Sequence, residues 1–379
     1  MTSKRWTMPM LTDPNAVGIL AIVTLFVLIA LRVPIAVALI SVSIAGIWLS
    51  VGQAPALSVL SNVPYDFAAS WTLSSVPMFL LMGYLAFYFG LTKELFAAAR
   101  AWLSWLPGGL VLASLAGAGG FAAVTGSSIA CSAAIGKIAL PEMKLSRYHM
   151  GLAGGSIAAG GTLGALIPPS ILLILFGIQA QISITDLFFW GIIVGLCSLF
   201  LYILVVLAIA ILRPNVFPRG TPVSREERMR TLLGILPILI VFAVVFGGLF
   251  GGFFSATESG AVGATAVLAV GLMQRRVSRA AIVASLSDTL LACGSLFMIA
   301  VGANALAKMM ALTGLTAEFG NLMSAFGDSQ TLFLVVVTAL FLIIGMFMEP
   351  VGAMLLTLPI LLPLVKTLGI VSYPPKFGH

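Results

Sequence analysis

Long stretches of this chain contain no Asp, Glu, Lys or Arg, among them residues 33–65, 67–92, 101–136, 148–185, 187–212, 231–257, 259–274, 289–307 and 331–348. A helix crosses the hydrocarbon core of a bilayer with about 20 mostly apolar residues. Several of these stretches are long enough for more than one pass. The alternation of a transmembrane barrel strand is absent. The pattern therefore predicts an all-α polytopic membrane protein. Composition agrees: of 379 residues 60% are apolar and 8% charged, and mean hydropathy is +1.16. A soluble domain carries about a quarter charged residues, so a soluble enzyme, a disordered chain and a disulfide scaffold are excluded.

The net charge of +7 reads as basic residues that hold loops on the cytoplasmic side. No basic run with interleaved aromatics points to nucleic acid. Cys131, Cys197 and Cys293 stand far apart in apolar sequence, without metal-ligand spacing, and read as small buried hydrophobes. Residues 1–16 are polar, and the apolar run after them lacks a small-residue cleavage site, so it reads as a retained helix.

Arg213, Arg219, Arg225, Arg228 and Arg230 mark a cytoplasmic loop, and Arg275, Arg276 and Arg279 a second. Residues 231–274 between them hold two passes. Counting backwards, 187–212 is one pass and 156–182 another, starting inside near Lys144 and Arg147. The apolar stretch 105–141 begins and ends on basic flanks, and its middle, Gly117–Ser128, is rich in Gly, Ala and Ser. This fits a hairpin that enters from the cytoplasm, turns within the membrane and returns, with its non-helical turn sheltered in protein or beside water. The same count places the N-terminus outside.

Gly90-Leu91-Thr92-Lys93-Glu94-Leu95-Phe96 is echoed by Gly314-Leu315-Thr316-Ala317-Glu318-Phe319, an offset of 224 residues that carries Thr125–Ser128 onto Glu349–Gly352. Leu140-Pro141 and Leu362-Pro363 follow the two tips, two residues out of register. From Arg279 a pass over 282–307 runs outward, so the hairpin 331–366 enters from outside. Two copies of opposite orientation make the inverted repeat of many secondary transporters. The layout is a polar segment 1–16, a first repeat 17–212 (hairpin 105–145, broken helix 156–182), a basic linker 213–230 and a second repeat 231–379. The run Gly160–Ser170 has its counterpart due near residue 384, so the second repeat is expected to be incomplete, with Tyr373–His379 a loop cut short.

Two elements carry chemistry. One is the tip Thr125-Gly126-Ser127-Ser128, where glycine permits a tight turn and hydroxyls and freed carbonyls offer oxygen ligands. The other is Gly160–Ser170, where Pro168-Pro169 removes two amide donors and breaks the helix. Half-helix C-terminal ends attract a cation and N-terminal ends an anion. Gly161, Thr162, Gly164, Ile167, Pro168, Pro169 and Ser170 of this run join the tip as candidates for sodium and carboxylate binding. At the second tip the candidate is Glu349, an ionisable residue at the end of an uncharged run. Glu258 reads as a helix-start residue with Thr257 as cap. Asp288 and Lys308 read as the bounds of a pass, and Asn304 as a hydrogen-bonding residue between helices. No catalytic residue is assigned: His149 and His379 are the two histidines, HExxH and GxSxG are absent, and no cofactor motif occurs.

Ser75-Val76-Pro77-Met78-Phe79-Leu80-Leu81-Met82-Gly83, Leu106-Pro107-Gly108-Gly109, Thr125–Ser128, Ala139-Leu140-Pro141-Glu142-Met143 and Gly160–Ile171 resemble the large membrane subunit of TRAP transporters, the DctM type. Gly345–Glu349 and Leu358–Pro363 resemble its second hairpin. The resemblance runs from about residue 20 to the end. It implies an elevator-type fold like that of the ion transporter superfamily, and an ATP-independent, sodium-coupled importer of carboxylates in the bacterial inner membrane. It also implies two partners, a periplasmic solute-binding protein and a small four-helix membrane subunit, with sodium as coupling ion and no other cofactor. Carried over, Thr125, Gly126, Ser127, Ser128, Thr162, Gly164 and Pro168 form one sodium site, and Gly345 and the Glu349 region contribute to a second. The missing second Pro-Pro run leaves an alternative, a non-transporting scaffold that binds the small subunit only.

Overall fold

A computed structural model describes residues 13–213, 216–218, 223–315, 318, 330–346 and 348–367. The segment before residue 13, Arg219, Thr316, Ala317 and Phe319 of the second echo and the tail from residue 368 lie outside the described residues. The described chain is helical, with no strand among these residues. Five helices are long and apolar enough to cross a membrane, and a sixth candidate is a pair bent by 43°. The protein is a multi-pass membrane protein.

The described chain falls into two compact units: residues up to 70 together with those from 294 onward, and Trp71–Cys293. In the first unit Asp13 caps α1 (Pro14–Ala30) by accepting from the Asn15 amide, with Pro14 in the first turn. α2 (Ile35–Ser50) and α3 (Gln53–Ala68) follow, and Phe67 meets Phe297 edge to face, ring centroids 5.7 Å apart.

The second unit holds the candidate site. A short helical turn, Trp71–Ser74, leads into α4 (Ser75–Tyr88). α5 (Leu91–Leu103) opens after Gly90 in the left-handed region and carries Glu94 in its first turn and Arg100 in its last, both favoured by the helix dipole. α6 (Gly109–Thr125) and α7 (Ser128–Leu145) are the arms of a hairpin. α8 (Met150–Leu166) and α9 (Ile171–Ala180) are the bent pair. α10 (Ile184–Leu212), α11 (Arg225–Phe250) and α12 (Ala256–Met273) follow. α12 lies along α4 through small residues, as membrane helices do when backbones approach closely. A Cβ on Gly260 would come within 3.0 Å of the Met78 Cβ and 3.2 Å of the Ser75 carbonyl oxygen.

At the arginine-bearing ends of these helices Arg100 pairs with Glu142 of α7 and, at 3.5 Å, with Glu227 of α11. Arg276 pairs with Glu94 at 2.7 Å. These groups are between about a third and a half exposed, so the pairs add little stability.

α13 (Arg279–Leu312) runs unbroken from the second unit into the first. It contains the pass read over 282–307, while Asp288 and Lys308, read as the bounds of a pass, lie inside the helix. Inside the helix the Asp288 carboxylate accepts from the Tyr88 hydroxyl at 2.6 Å. Asn304 donates to its own helix at the Ala300 carbonyl (3.0 Å). Ser255, and not Thr257, caps α12: its Oγ accepts from the Glu258 amide at 3.3 Å, and the Glu258 carboxylate accepts from the Ser255 amide at 2.8 Å. Cys131 and Cys293 are buried, whereas Cys197 is exposed. The last described helices, α14 (Gln330–Gly345) and α15 (Pro350–Thr367), form a second hairpin.

Candidate functional site

The first site is built where two helix breaks meet. α6 ends because Gly126 turns left-handed (φ 59), a conformation in which its amide donates back to the Ala122 carbonyl at 3.2 Å. Ser127 is extended (φ −130, ψ 125), and its hydroxyl oxygen accepts from the Ala130 amide, which starts α7 at Ser128. Two residues therefore separate a helix C-terminus from a helix N-terminus. α8 ends at Leu166, where Ile167 is extended ahead of Pro168-Pro169. Ser170 opens α9 by accepting from the Leu173 amide, and its own hydroxyl donates to the Ala165 carbonyl at 2.5 Å. One buried serine thus ties the two half-helices across the break.

The tip is seated directly in that break. The Ile171 amide, the first of α9, donates to the Gly126 carbonyl at 3.1 Å. A Cβ on Gly126 would collide with the Pro169 carbonyl oxygen, and one on Gly164 would lie 2.6 Å from the Ser127 carbonyl oxygen. Gly161 faces Ser132, whose hydroxyl occupies the space a Cβ there would need, and the Ser128 carbonyl oxygen is 3.2 Å from the same point. Behind the tip, a Cβ on Gly83 of α4 would lie 2.7 Å from the Thr125 Cα. Ile167 and Pro168 pack on Gly195 and Gly191 of α10.

Of the sequence candidates, the structure brings Thr125, Gly126, Ser127, Ser128, Gly161, Gly164, Pro169 and Ser170 to this seam, with Ile167 and Pro168 on its α10 side. Thr125 is 2% exposed, and its hydroxyl donates to the Phe121 carbonyl at 3.2 Å. Thr162 is turned elsewhere: its hydroxyl is 2.7 Å from the Ala159 carbonyl and 2.9 Å from the Tyr202 hydroxyl of α10. Tyr202, Ser132 and Gly83 were not singled out as site residues by the sequence. Gly83 alone carried a signal, as the last residue of the Ser75–Gly83 motif.

Chemically, the seam sets two helix C-terminal ends beside two N-terminal ends. The last-turn carbonyls of α6 and α8 have no amide ahead of them in their own helix, and the first-turn amides of α7 and α9 have no carbonyl behind. Partial negative and partial positive charge thus meet within a few residues. The serine and threonine hydroxyls add oxygen donors of the hard type that suits small cations.

The second hairpin turns differently. Glu349 precedes α15: its carboxylate accepts from the Gly352 amide at 3.4 Å and its carbonyl from the Ala353 amide at 2.9 Å, so it caps the helix that Pro350 opens. Gly345 is the last residue of α14, and a Cβ there would meet nothing within 4 Å. No cluster of His, Cys, Asp or Glu able to hold a metal occurs among the described residues.

A family model described as the DctM component of the tripartite ATP-independent periplasmic transporter matches residues 22–374. The C4-dicarboxylate TRAP transporter large permease protein DctM of Pseudomonas aeruginosa is 31% identical over 335 residues, 85% of this chain and 77% of that protein. The isethionate TRAP transporter permease protein DctMQ of Oleidesulfovibrio alaskensis is 30% identical, over 91% of this chain and 54% of its own length. The sialic acid TRAP transporter large permease protein SiaM of Vibrio cholerae is 26% identical, over 82% of this chain and 72% of that protein.

Proposed function

This chain belongs to the DctM family of TRAP transporter large permeases, and from that premise we propose that it imports a carboxylate-containing solute, coupled to sodium, across the bacterial inner membrane. A periplasmic solute-binding protein delivers the solute, and a small membrane subunit supports the permease. The observation that carries this reading is the hydrogen bond from the Ile171 amide to the Gly126 carbonyl, which locks tip and break into one seam. Sodium is held on the carbonyl side, by backbone oxygens near Thr125 and Ser127 and by the Ser127 and Ser128 hydroxyls. The carboxylate takes the amide side, at the starts of α7 and α9. Thr162 is left out of the ligand set, its hydroxyl being engaged with Tyr202. Gly345 and Glu349 are proposed for a second ion site at the other hairpin, where Glu349 supplies a partly buried carboxylate.

Coupling follows from differential binding. Sodium bound at the seam favours one state over the other by its difference in affinity, so the ion shifts the equilibrium between outward and inward states of an elevator motion. The test is uptake by proteoliposomes that hold this chain with its small subunit and are supplied with the cognate binding protein. A sodium gradient should drive accumulation. Replacing Ser127 and Ser128 by alanine together should raise the sodium concentration needed for half-maximal uptake about tenfold, the equivalent of ~1.4 kcal/mol of lost ion binding. An unchanged sodium dependence would refute the ligand assignment. Binding of the small subunit without uptake under any gradient would instead favour a scaffold.

A further inference from the structure

Lys137 lies nine residues past the tip on α7, eight before the helix ends at Leu145. That is about 12 Å of helix rise from the basic end, deep for a cation in a membrane protein. An ionisable group at such depth faces protein or water and carries a function by default. Lys137 is exposed, and it shares one ridge of α7 with Ile129, Ala133, Pro141 and Lys144. The ridge runs from the tip to the basic end and carries a single large apolar side chain, Ile129. The exposed face of α10 is of another kind, with Phe189, Trp190, Phe200, Leu201 and Leu204 turned outward as on a lipid-facing helix.

The surroundings of the ammonium group fit a cation kept ready for an anion. Its Nζ stands 5.5 Å from the centroid of the Phe87 ring, within cation–π range. Phe87 meets Tyr88 edge to face at 5.1 Å, and Tyr88 in turn donates its hydroxyl to Asp288 at 2.6 Å. A chain of contacts through the aromatic pair leads from Lys137 to Asp288, and that acid is engaged by a phenol. Among the described residues Lys137 has no carboxylate within ion-pair distance. All of these groups belong to the unit Trp71–Cys293.

We propose that Lys137 is an anion-docking residue on the route between the tip and the basic end of the hairpin, receiving the solute carboxylate on the cytoplasmic half of its path. The inference rests on the reading of this chain as a carboxylate permease, and it adds a specificity-determining cation to a tip whose own ligands are neutral. A neutral solute gains nothing from this residue, whereas a carboxylate gains a charge-assisted contact.

The experiment uses the full chain with its small subunit and binding protein in proteoliposomes, loaded inside with the transported carboxylate to measure exchange. Absence of uptake by the wild-type chain would remove the underlying reading without bearing on Lys137. With uptake present, Lys137→Ala should raise the internal concentration for half-maximal exchange about tenfold and leave the external KM unchanged, and Lys137→Arg should retain the wild-type value. Lys137→Cys gives a readout on protein already folded. Impermeant thiol reagents should reach it from the internal face, more slowly when carboxylate is present, above the background set by Cys131, Cys197 and Cys293. A 2-aminoethyl adduct should restore internal affinity, and a 2-sulfonatoethyl adduct should not. An unchanged internal affinity in Lys137→Ala, or a thiol reached from neither face as for a side chain buried in lipid, would overturn the proposal.

Discussion

Single backbone positions decide whether the seam closes. At Gly164 the opposing atoms are the backbone of Ser127, which has no rotamer to move aside. Gly154 sits ten residues earlier in the same helix, and a Cβ there would meet nothing within 4 Å. The pair separates two effects of one substitution. Gly154→Ala should stabilise the protein by about 0.5–1 kcal/mol, since alanine loses less backbone entropy in a helix. Gly164→Ala should cost about 1–3 kcal/mol through overpacking and abolish uptake, because it pushes the tip off the break. Thermal unfolding in detergent, read beside uptake, checks both; a fully active Gly164→Ala would mean that the contact is dispensable. Gly164 was legible because its glycine-rich run leads straight into a Pro-Pro break, where small residues let another backbone approach. The orientation of Thr162 was not, since it is set by Tyr202, forty residues away in sequence.

At the scale of elements, the breaks were readable and the continuous helices less so. Pro168-Pro169 cannot donate two of the amides a helix needs, and Gly126 permits the left-handed turn, so local chemistry alone placed both interruptions. At α13 it is the bounds that were misjudged: a charged residue was taken as a boundary, whereas Asp288 lies inside the helix and accepts from the Tyr88 hydroxyl. Ser170 shows how a break is held once made. It is fully buried, caps α9 and satisfies the Ala165 carbonyl of α8. Ser170→Ala leaves that carbonyl without its donor and α9 without its cap, and should destabilise the protein by about 1–2 kcal/mol. Ser170→Thr keeps the hydroxyl and should recover most of the loss. Equal melting temperatures for the alanine variant and the wild type would show that the half-helices are held by other contacts.

For the whole molecule the reading proposed from the sequence is repetition with inversion, and it makes its own prediction. The offset of 224 residues read from a short echo takes Tyr88, the last residue of α4, onto Leu312, the last of α13, and takes Gly90 onto Gly314, both left-handed (φ 79 and 76). It also takes the arms of the first hairpin to within a few residues of α14 and α15. Helix ends agree at this spacing because the same stop, a glycine that turns the chain left-handed, stands in both places. Inversion, in contrast, is written only in the flanks. Lys144 and Arg147 stand at the base of the first hairpin, and Arg279 lies one full helix away from the base of the second. A cysteine placed at Ser146, between α7 and α8, should therefore react with an impermeant thiol reagent in inside-out vesicles. One placed at Thr331, near the start of α14, should react in right-side-out vesicles. Labelling of both from one face would make the repeats parallel. Two helix breaks would then approach the bilayer from the same side, and the alternation between outward and inward states would lose the symmetry on which it rests.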